Sequence, residues 1–148
     1  ETVIVEADQA DCLYKSALAA DGRPRVVGGD MATVMAGLAC GEPNLIGWNI
    51  LRDYSDVFVS CPDWVAAKGM RVLANPLLGD PKVISGESGA VTAGLLSTLM
   101  IDEGLKEARE ALHLDEKSQI LLFNTEGNTD PFKYRSIVWD GELPSAGR

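Results

Sequence analysis

Short apolar runs alternate with longer amphipathic stretches along the chain. The runs are rich in β-branched residues and are bounded by turn-forming residues, which is typical of strands. They predict five strands, over residues 2–5, 25–27, 56–59, 82–85 and 119–123. The stretches between them place apolar residues three or four positions apart, or are apolar nearly all round, and so predict helices. The predicted helices cover residues 8–20, 31–39, 44–54, 62–75, 88–99, 102–112 and 131–139.

This alternation of strands and helices predicts an α/β fold. We expect three layers, with a mainly parallel sheet and helices on both of its faces. The last predicted helix is followed by a short stretch to residue 144, and residues 145–148 are left as a tail. Ligands of parallel sheets bind beyond the carboxyl ends of the strands. The turns that directly follow strands are therefore the first places to look for chemistry.

Composition excludes several classes of function. Of the 148 residues, 46% are hydrophobic and 24% are charged, which is a globular composition rather than a disordered one. Thirteen Lys and Arg against 22 Asp and Glu give a net charge of −9, which argues against a nucleic-acid partner. No apolar run approaches the ~20 residues needed to cross a bilayer, so we expect no membrane partner.

The cysteines point to a reducing compartment and not to a metal site. Cys12, Cys40 and Cys61 have no C-x-x-C spacing, and His113 is the only histidine. We therefore expect no zinc, and the odd, low count predicts a cytoplasmic protein. A bridge between Cys12 and Cys40 is one alternative, and three small buried thiols without a bridge are the other.

Two polar turns after predicted strands are the candidate sites. In the first, Ser85–Ala90, two glycines permit close backbone approach, Ser88 is a candidate helix cap, and Glu87 lies where a helix begins. The second, Asn124–Asp130, follows a buried strand, and its Thr129 or Asp130 would cap the next helix. Either turn has an ordinary structural explanation as a capped connection. The same holds for a third turn, residues 39–43, where glycine and proline end a helix.

Taken together, several segments resemble diaminopropionate ammonia-lyase, a pyridoxal-phosphate enzyme of the tryptophan-synthase-β-like fold. The resemblance covers residues 1–144 in order, and the ordered combination is more specific than any one motif. The segments that carry it are Val5-Glu6-Ala7-Asp8, Asp11–Ala17, Met35–Pro43, Gly69–Leu73, Ser85–Val91, Thr125–Pro131 and Tyr134–Gly141.

The resemblance implies β-elimination of 2,3-diaminopropionate to pyruvate and ammonia, with pyridoxal 5′-phosphate as cofactor and a small amino acid as substrate. It places Thr125 at the pyridine nitrogen of the cofactor, and Glu87 with Ser88 and Gly86 along the edge of the ring. It also implies a homodimer for the whole enzyme. The resemblance assigns no metal.

The resemblance further implies that this chain is the C-terminal portion of the enzyme. The lysine that holds the cofactor and the glycine-rich phosphate loop precede the region of resemblance, so we expect the missing N-terminal portion to be a partner. None of the six lysines lies in a motif like that of the family, so no catalytic residue is assigned and the chain alone is expected to be inactive. The alternative is a stand-alone, non-catalytic α/β module that binds a small anion at Gly86–Ser88 or Gly127–Thr129.

Overall fold

The computed structural model describes residues 1–145, which form two compact units. The first unit comprises Glu1–Asp63, and the second begins at Trp64. Of the predicted tail, Ser145 is described and residues 146–148 lie outside the described residues. The assignment of residues 1–144 to one portion of a larger enzyme stays a prediction.

The first unit is built on two parallel strands. Strand β1 is Val3–Ala7 and strand β2 is Val57–Cys61. They pair in parallel, with Val3 opposite Val57 and Ala7 opposite Cys61. Helices α1, Cys12–Leu18, and α2, Leu45–Tyr54, lie between them along the chain, as the connection of parallel strands requires. The parallel strands with helices between them confirm the α/β class, but the sheet has two strands within the described residues and not the five predicted.

A buried carboxylate decides where α1 begins. Glu6 at the end of β1 accepts hydrogen bonds from the backbone N–H groups of Leu13 at 3.0 Å and Tyr14 at 2.7 Å. These are first-turn amides, which have no partner inside a helix. The prediction that the helix runs over residues 8–20 is therefore too long at its start. Burial raises the pKa of Glu6, against the lowering effect of these bonds.

Two predicted elements of the first unit do not form. The expected helix over residues 31–39 is only a 3-10 turn at Ala36–Leu38, because Asp63 accepts hydrogen bonds from the Thr33 hydroxyl and the Val34 amide and holds the backbone open. The expected strand over residues 25–27 is irregular backbone, in which the Val27 amide bonds the carbonyl of Gly41 at 2.8 Å. One such bond does not make a ladder.

The second unit is helical. Its helices are α3, Asp63–Ala74, which starts at the last residue of the first unit, α4, Glu87–Ile101, α5, Lys106–Ala111, and α6, Pro131–Val138. A 3-10 turn at Glu103–Leu105 precedes α5, so the expected helix over residues 102–112 is broken into two pieces. The core cluster of the unit contains one to two residues from each of α3, α4 and α6, namely Ala67, Met70, Ala90 and Ile137.

Helices α3 and α4 cross at glycines. A Cβ atom on Gly94 would lie 1.8 Å from the carbonyl oxygen of Val65, and one on Gly69 would lie 2.0 Å from that of Ala90. Real carbon atoms do not approach oxygen so closely. The two backbones are therefore in direct contact, and both positions exclude any side chain.

An arginine ties the end of the unit to α3. The guanidinium of Arg71 donates to the carbonyl oxygens of Ile137 at 3.2 Å, Glu142 at 3.0 Å and Leu143 at 2.9 Å. These carbonyls follow or end α6, where helical partners are missing. One cation thus satisfies three acceptors and fixes α6 against α3.

The predicted strands over residues 82–85 and 119–123 are wrong for the described chain. Both segments are irregular, although Val83 donates its amide to the carbonyl of Leu73 at 3.1 Å. A strand forms only where a neighbouring strand accepts its ladder of hydrogen bonds, and residues 1–145 offer none here. The apolar side chains of the second segment are therefore exposed, with Leu121 at 77% and Phe123 at 72%.

Across residues 1–145, no helix has the length and apolar character that a membrane span requires.

We expect Gly94→Ala to destabilise the second unit by about 3 kcal/mol, because the added methyl group forces α3 and α4 apart. Urea unfolding monitored by circular dichroism measures the loss. The matched control is Gly47→Ala in α2, where the new Cβ atom makes only ordinary contacts at 3.5 Å and beyond. That change should stabilise by roughly 0.5–1 kcal/mol through helix propensity. Equal effects of the two variants would contradict the close crossing.

Candidate functional site

The two candidate turns lie against each other in the second unit. The Gly86 amide donates to the carbonyl oxygen of Glu126 at 3.1 Å. The Ser85 hydroxyl donates to the Asn124 side-chain oxygen at 2.9 Å, and the Asn124 amide group donates to the Ile84 carbonyl at 3.3 Å. Hydrogen bonds in both directions therefore join segments that are about forty residues apart in sequence.

Glycine permits this approach. A Cβ atom on Gly86 would lie 2.6 Å from Cδ of Glu126 and 2.7 Å from the carbonyl oxygen of Gly127. One on Gly89 would lie 2.4 Å from Oδ1 of Asn124. The role of the glycines predicted from the sequence, close backbone approach, is therefore confirmed, although what approaches is the second turn of this chain.

The N-terminus of α4 is capped by a distant carboxylate. The helix begins at Glu87, and its N-cap residue, Gly86, has no side chain to offer. Oε2 of Glu126 accepts instead, from the amides of Ser88 at 2.5 Å and Gly89 at 3.2 Å. Ser88 lies inside the first turn and not before it, so the prediction that Ser88 caps this helix is wrong. A negative charge here is also favoured by the helix dipole.

Glu87 is a buried acid among charges of both signs. Only 8% of the residue is exposed. Burial raises the pKa of its carboxyl, and the negative charges of Glu126 and Asp130 raise it further, while its own backbone amide and the ammonium of Lys133 act in the opposite direction. Its proton is therefore held more tightly than that of an ordinary glutamate, and it can serve as a hydrogen-bond donor at higher pH.

Thr125 stands between two anchored neighbours. Its side chain is exposed, and within residues 1–145 its hydroxyl makes no hydrogen bond. Asn124 before it and Glu126 after it are both bonded to the first turn. The hydroxyl is thus held in place by the backbone while its donor and acceptor capacity stays free for a ligand.

The end of the second turn starts α6. Oδ1 of Asp130 accepts from the amides of Phe132 at 3.1 Å and Lys133 at 3.0 Å, and Pro131 occupies the first helical position. The sequence prediction that Thr129 or Asp130 caps this helix is confirmed for Asp130. Its bonds to the helix and the Thr129–Gly127 backbone bond of 3.0 Å brace the turn.

The remaining candidates lie elsewhere. The turn at residues 39–43 belongs to the first unit. All three cysteines are free thiols, with Cys12 and Cys61 buried and Cys40 exposed; burial raises the pKa of Cys12 to about 11 and that of Cys61 to about 12. Among residues 1–145, no group of three or more His, Cys, Asp or Glu side chains is placed to hold a metal ion.

The sequence places Ser85, Asn124 and Glu126 in the two candidate turns but gives no sign of their roles. Each acts through a bond to the other turn, and no local spacing marks such a contact. The usable signal was indirect. A helix whose preceding residue is Gly86 lacks its own side-chain cap, so an acceptor from elsewhere was to be expected.

Comparison with known proteins agrees with the resemblance stated from the sequence. No protein-family model matches the chain. Diaminopropionate ammonia-lyase of Escherichia coli strain K12 is 51% identical over 141 residues, which is 95% of this chain and 35% of that protein. The enzyme of the same name from Salmonella typhimurium strain LT2 is 52% identical over 140 residues, again 35% of its length. The chain therefore spans about a third of the length of these curated relatives.

Solved structures give the same result. The crystal structure of the Escherichia coli diaminopropionate ammonia-lyase in complex with an aminoacrylate-PLP azomethine reaction intermediate superposes with a TM-score of 0.85 at 48% identity, over 95% of this chain and 35% of that one. The apo form of that enzyme gives a TM-score of 0.67 over 71% of this chain and 29% of that one, at 46% identity. The resemblance to diaminopropionate ammonia-lyase is thus confirmed in both sequence and fold.

We expect the Glu87 carboxyl to titrate above its ordinary pKa of 4.5. A folded-state pKa above the unfolded value means that the folded chain binds the proton more tightly. This contribution to the unfolding free energy is complete at low pH and is lost as the pH rises through the raised pKa. The carbon-13 NMR titration of the Glu87 side chain measures the midpoint directly.

The variant Glu87→Gln should remove this pH dependence. Its stability relative to the wild type should increase as the pH rises above 4.5, when measured by urea unfolding at each pH. Glu116→Gln, the same substitution at an exposed position, is the matched control for the chemical change. A Glu87 midpoint at or below 4.5 would contradict the assignment.

Proposed function

We propose that this chain is the C-terminal portion of a pyridoxal-phosphate-dependent ammonia-lyase that converts 2,3-diaminopropionate to pyruvate and ammonia. The observation that carries the proposal is the joined pair of turns, Ser85–Gly89 and Asn124–Asp130, in a chain 51% identical over 141 residues to a diaminopropionate ammonia-lyase. The reaction and the cofactor follow from that similarity. The residues that would serve them follow from the geometry.

The residues present fit the cofactor ring. Thr125 offers an exposed hydroxyl with no partner in residues 1–145, held by two anchored neighbours. We assign it to the pyridine nitrogen, where a neutral hydroxyl bonds without holding a proton as a carboxylate would. Gly86, Glu87 and Ser88 then border the edge of the ring. Pyridoxal phosphate, when bound, supplies the electron sink for loss of the α-proton and the 3-amino group.

The turns contribute orientation rather than proton transfer. A hydroxyl or carboxyl within a rigid frame fixes the ring plane and so aligns the bond to be broken. The Glu87 carboxyl, with its raised pKa, adds a donor that stays protonated further toward neutral pH. We assign no catalytic base to this chain, in keeping with its 35% share of the relatives' length.

The proposal also extends the sheet. In the longer protein, we propose that residues 82–85 and 119–123 become strands of a three-layer, mainly parallel sheet. Their support is the exposure of the apolar side chains of Ile84 at 51% and Leu121 at 77%, which is what a strand without its neighbour leaves uncovered. The homodimer stays an expectation from the resemblance alone.

The anion-binding alternative is less well supported. A helix N-terminus attracts anions through its free amides, but at α4 the amides of Ser88 and Gly89 already bond the carboxylate of Glu126. An added phosphate or carboxylate would have to displace a charge held at 2.5 Å. The first of the two predicted anion sites is therefore filled from within.

A chimera tests the proposed function. This chain replaces the aligned 141 residues of the Escherichia coli enzyme, and pyruvate formed from 2,3-diaminopropionate is measured with lactate dehydrogenase. We expect turnover in the presence of pyridoxal phosphate. Thr125→Ala should lower kcat/KM about tenfold to a hundredfold, the loss of one hydrogen bond to a polar ring atom, whereas Thr125→Ser should stay within about threefold.

The controls test separately whether the chain is one portion of such an enzyme and whether Thr125 contacts the cofactor. The isolated 148-residue chain should form no pyruvate, and robust turnover by it would contradict its assignment as one portion of the enzyme. A folded chimera that takes up the cofactor but forms no pyruvate would contradict the proposed substrate. Equal rates for Thr125→Ala and the unmodified chimera would contradict the role of Thr125 alone.

A further inference from the structure

We propose that Glu126 is a positioning residue. Its carboxylate, bound to the N-terminus of α4, fixes the position of the Thr125 hydroxyl relative to Glu87. The part of this inference that concerns a cofactor ring rests on the proposed function. The tie between the two turns does not, and it can be tested without any ligand.

Glu126 contacts the first turn through both its backbone and its side chain. Its carbonyl accepts from the Gly86 amide at 3.1 Å, and its Oε2 accepts from the amides of Ser88 and Gly89. These three bonds, from the amides of Gly86, Ser88 and Gly89 to two oxygen atoms of Glu126, restrict both the distance and the rotation of one turn relative to the other. A single bond would fix the distance only.

Thr125 depends on this tie for its own position. Within residues 1–145 it makes no hydrogen bond itself. On one side, Asn124 is bonded to Ser85 and to the Ile84 carbonyl; on the other side, Glu126 is bonded to the first turn through its carboxylate and its carbonyl. Removing the carboxylate leaves only the backbone bond from the Gly86 amide on that side, so the Thr125 hydroxyl is held less firmly against rotation.

The carboxylate is suited to this task. Bonds from backbone amides to an ionised acceptor are about twice as strong as neutral ones, and the helix dipole adds to them. Glu126 also lies close enough to Glu87 for its charge to raise the pKa of that carboxyl. One side chain thus influences both groups that the proposed function places at the ring.

The test uses the 148-residue chain labelled with nitrogen-15 and the probe pyridoxamine 5′-phosphate. The probe carries the ring and phosphate but no aldehyde, so it requires no lysine. Four chains are compared, namely the wild type, Glu126→Ala, Glu126→Gln, which keeps an acceptor oxygen, and the control Glu116→Ala at an exposed site. NMR measures amide exchange at Ser88 and Gly89, and the probe-induced shifts of Thr125 and Glu87.

In Glu126→Ala we expect amide exchange at Ser88 and Gly89 to accelerate about tenfold or more, and the probe-induced shift of Thr125 to be lost while that of Glu87 remains. Glu126→Gln should restore the Thr125 shift at least in part, and Glu116→Ala should match the wild type. If Glu126→Ala does not fold, Glu126→Gln decides, since it must then show a weakened but present Thr125 shift.

Two results would overturn the inference. Unchanged amide exchange in Glu126→Ala would show that the tie does not hold the turns. Faster exchange with an unchanged Thr125 shift would reduce Glu126 to a helix cap. A wild-type chain in which the probe shifts neither turn would instead overturn the proposed ring contact. Amide exchange at Ser88 and Gly89, compared between the wild type and Glu126→Ala without the probe, would then decide the tie by itself.

Discussion

The second unit depends on a carboxylate from a distant part of the chain that caps the N-terminus of a helix. Helix α4 begins after Gly86, which brings no side chain to its free amides, and those amides must be satisfied somewhere. Glu126 supplies the acceptor. Because Gly86 and Gly89 leave no room for a Cβ atom, the helix start, the two glycines and the polar turn at residues 124–130 form one constraint rather than three separate features.

The first unit uses the same device on a smaller scale. Glu6, at the end of β1, accepts from the first-turn amides of α1. There the carboxylate comes from the preceding strand, so the connection is local, and burial raises its pKa. In both units, the position at which a helix begins is set by an acid outside the helix. This explains why the prediction that Ser88 caps α4 is wrong, and why Asp11, although it occupies the N-cap position of α1, makes no side-chain cap bond there.

Elements with local signals were predictable to within a residue or two. Helix α2 follows Asn44, whose side chain caps it, and α6 follows Asp130 and starts with Pro131. Strands required more than their own sequence. Residues 2–5 and 56–59 formed strands because each is the partner of the other, whereas residues 82–85 and 119–123 have the composition of strands and no partner within residues 1–145. The composition of a segment predicts that it can form a strand, but whether it does so depends on a neighbouring strand supplied by the tertiary structure.

The candidate site divides in the same way. The turns that hold Gly86, Glu87, Ser88 and Thr125 are marked in the sequence by polar residues after apolar runs, and the resemblance to diaminopropionate ammonia-lyase assigns these four residues to the cofactor. Ser85, Asn124 and Glu126 lie in the same turns but received no role, because their partners lie 37 to 39 residues away. This division has a physical basis. A group that binds a ligand must keep its hydrogen-bonding capacity unused, as Thr125 does. Other polar groups must therefore hold it in place as a frame, and they do so by forming hydrogen bonds with one another. The frame is therefore invisible to any method that reads only neighbouring residues, and it is where the geometry of the site is determined.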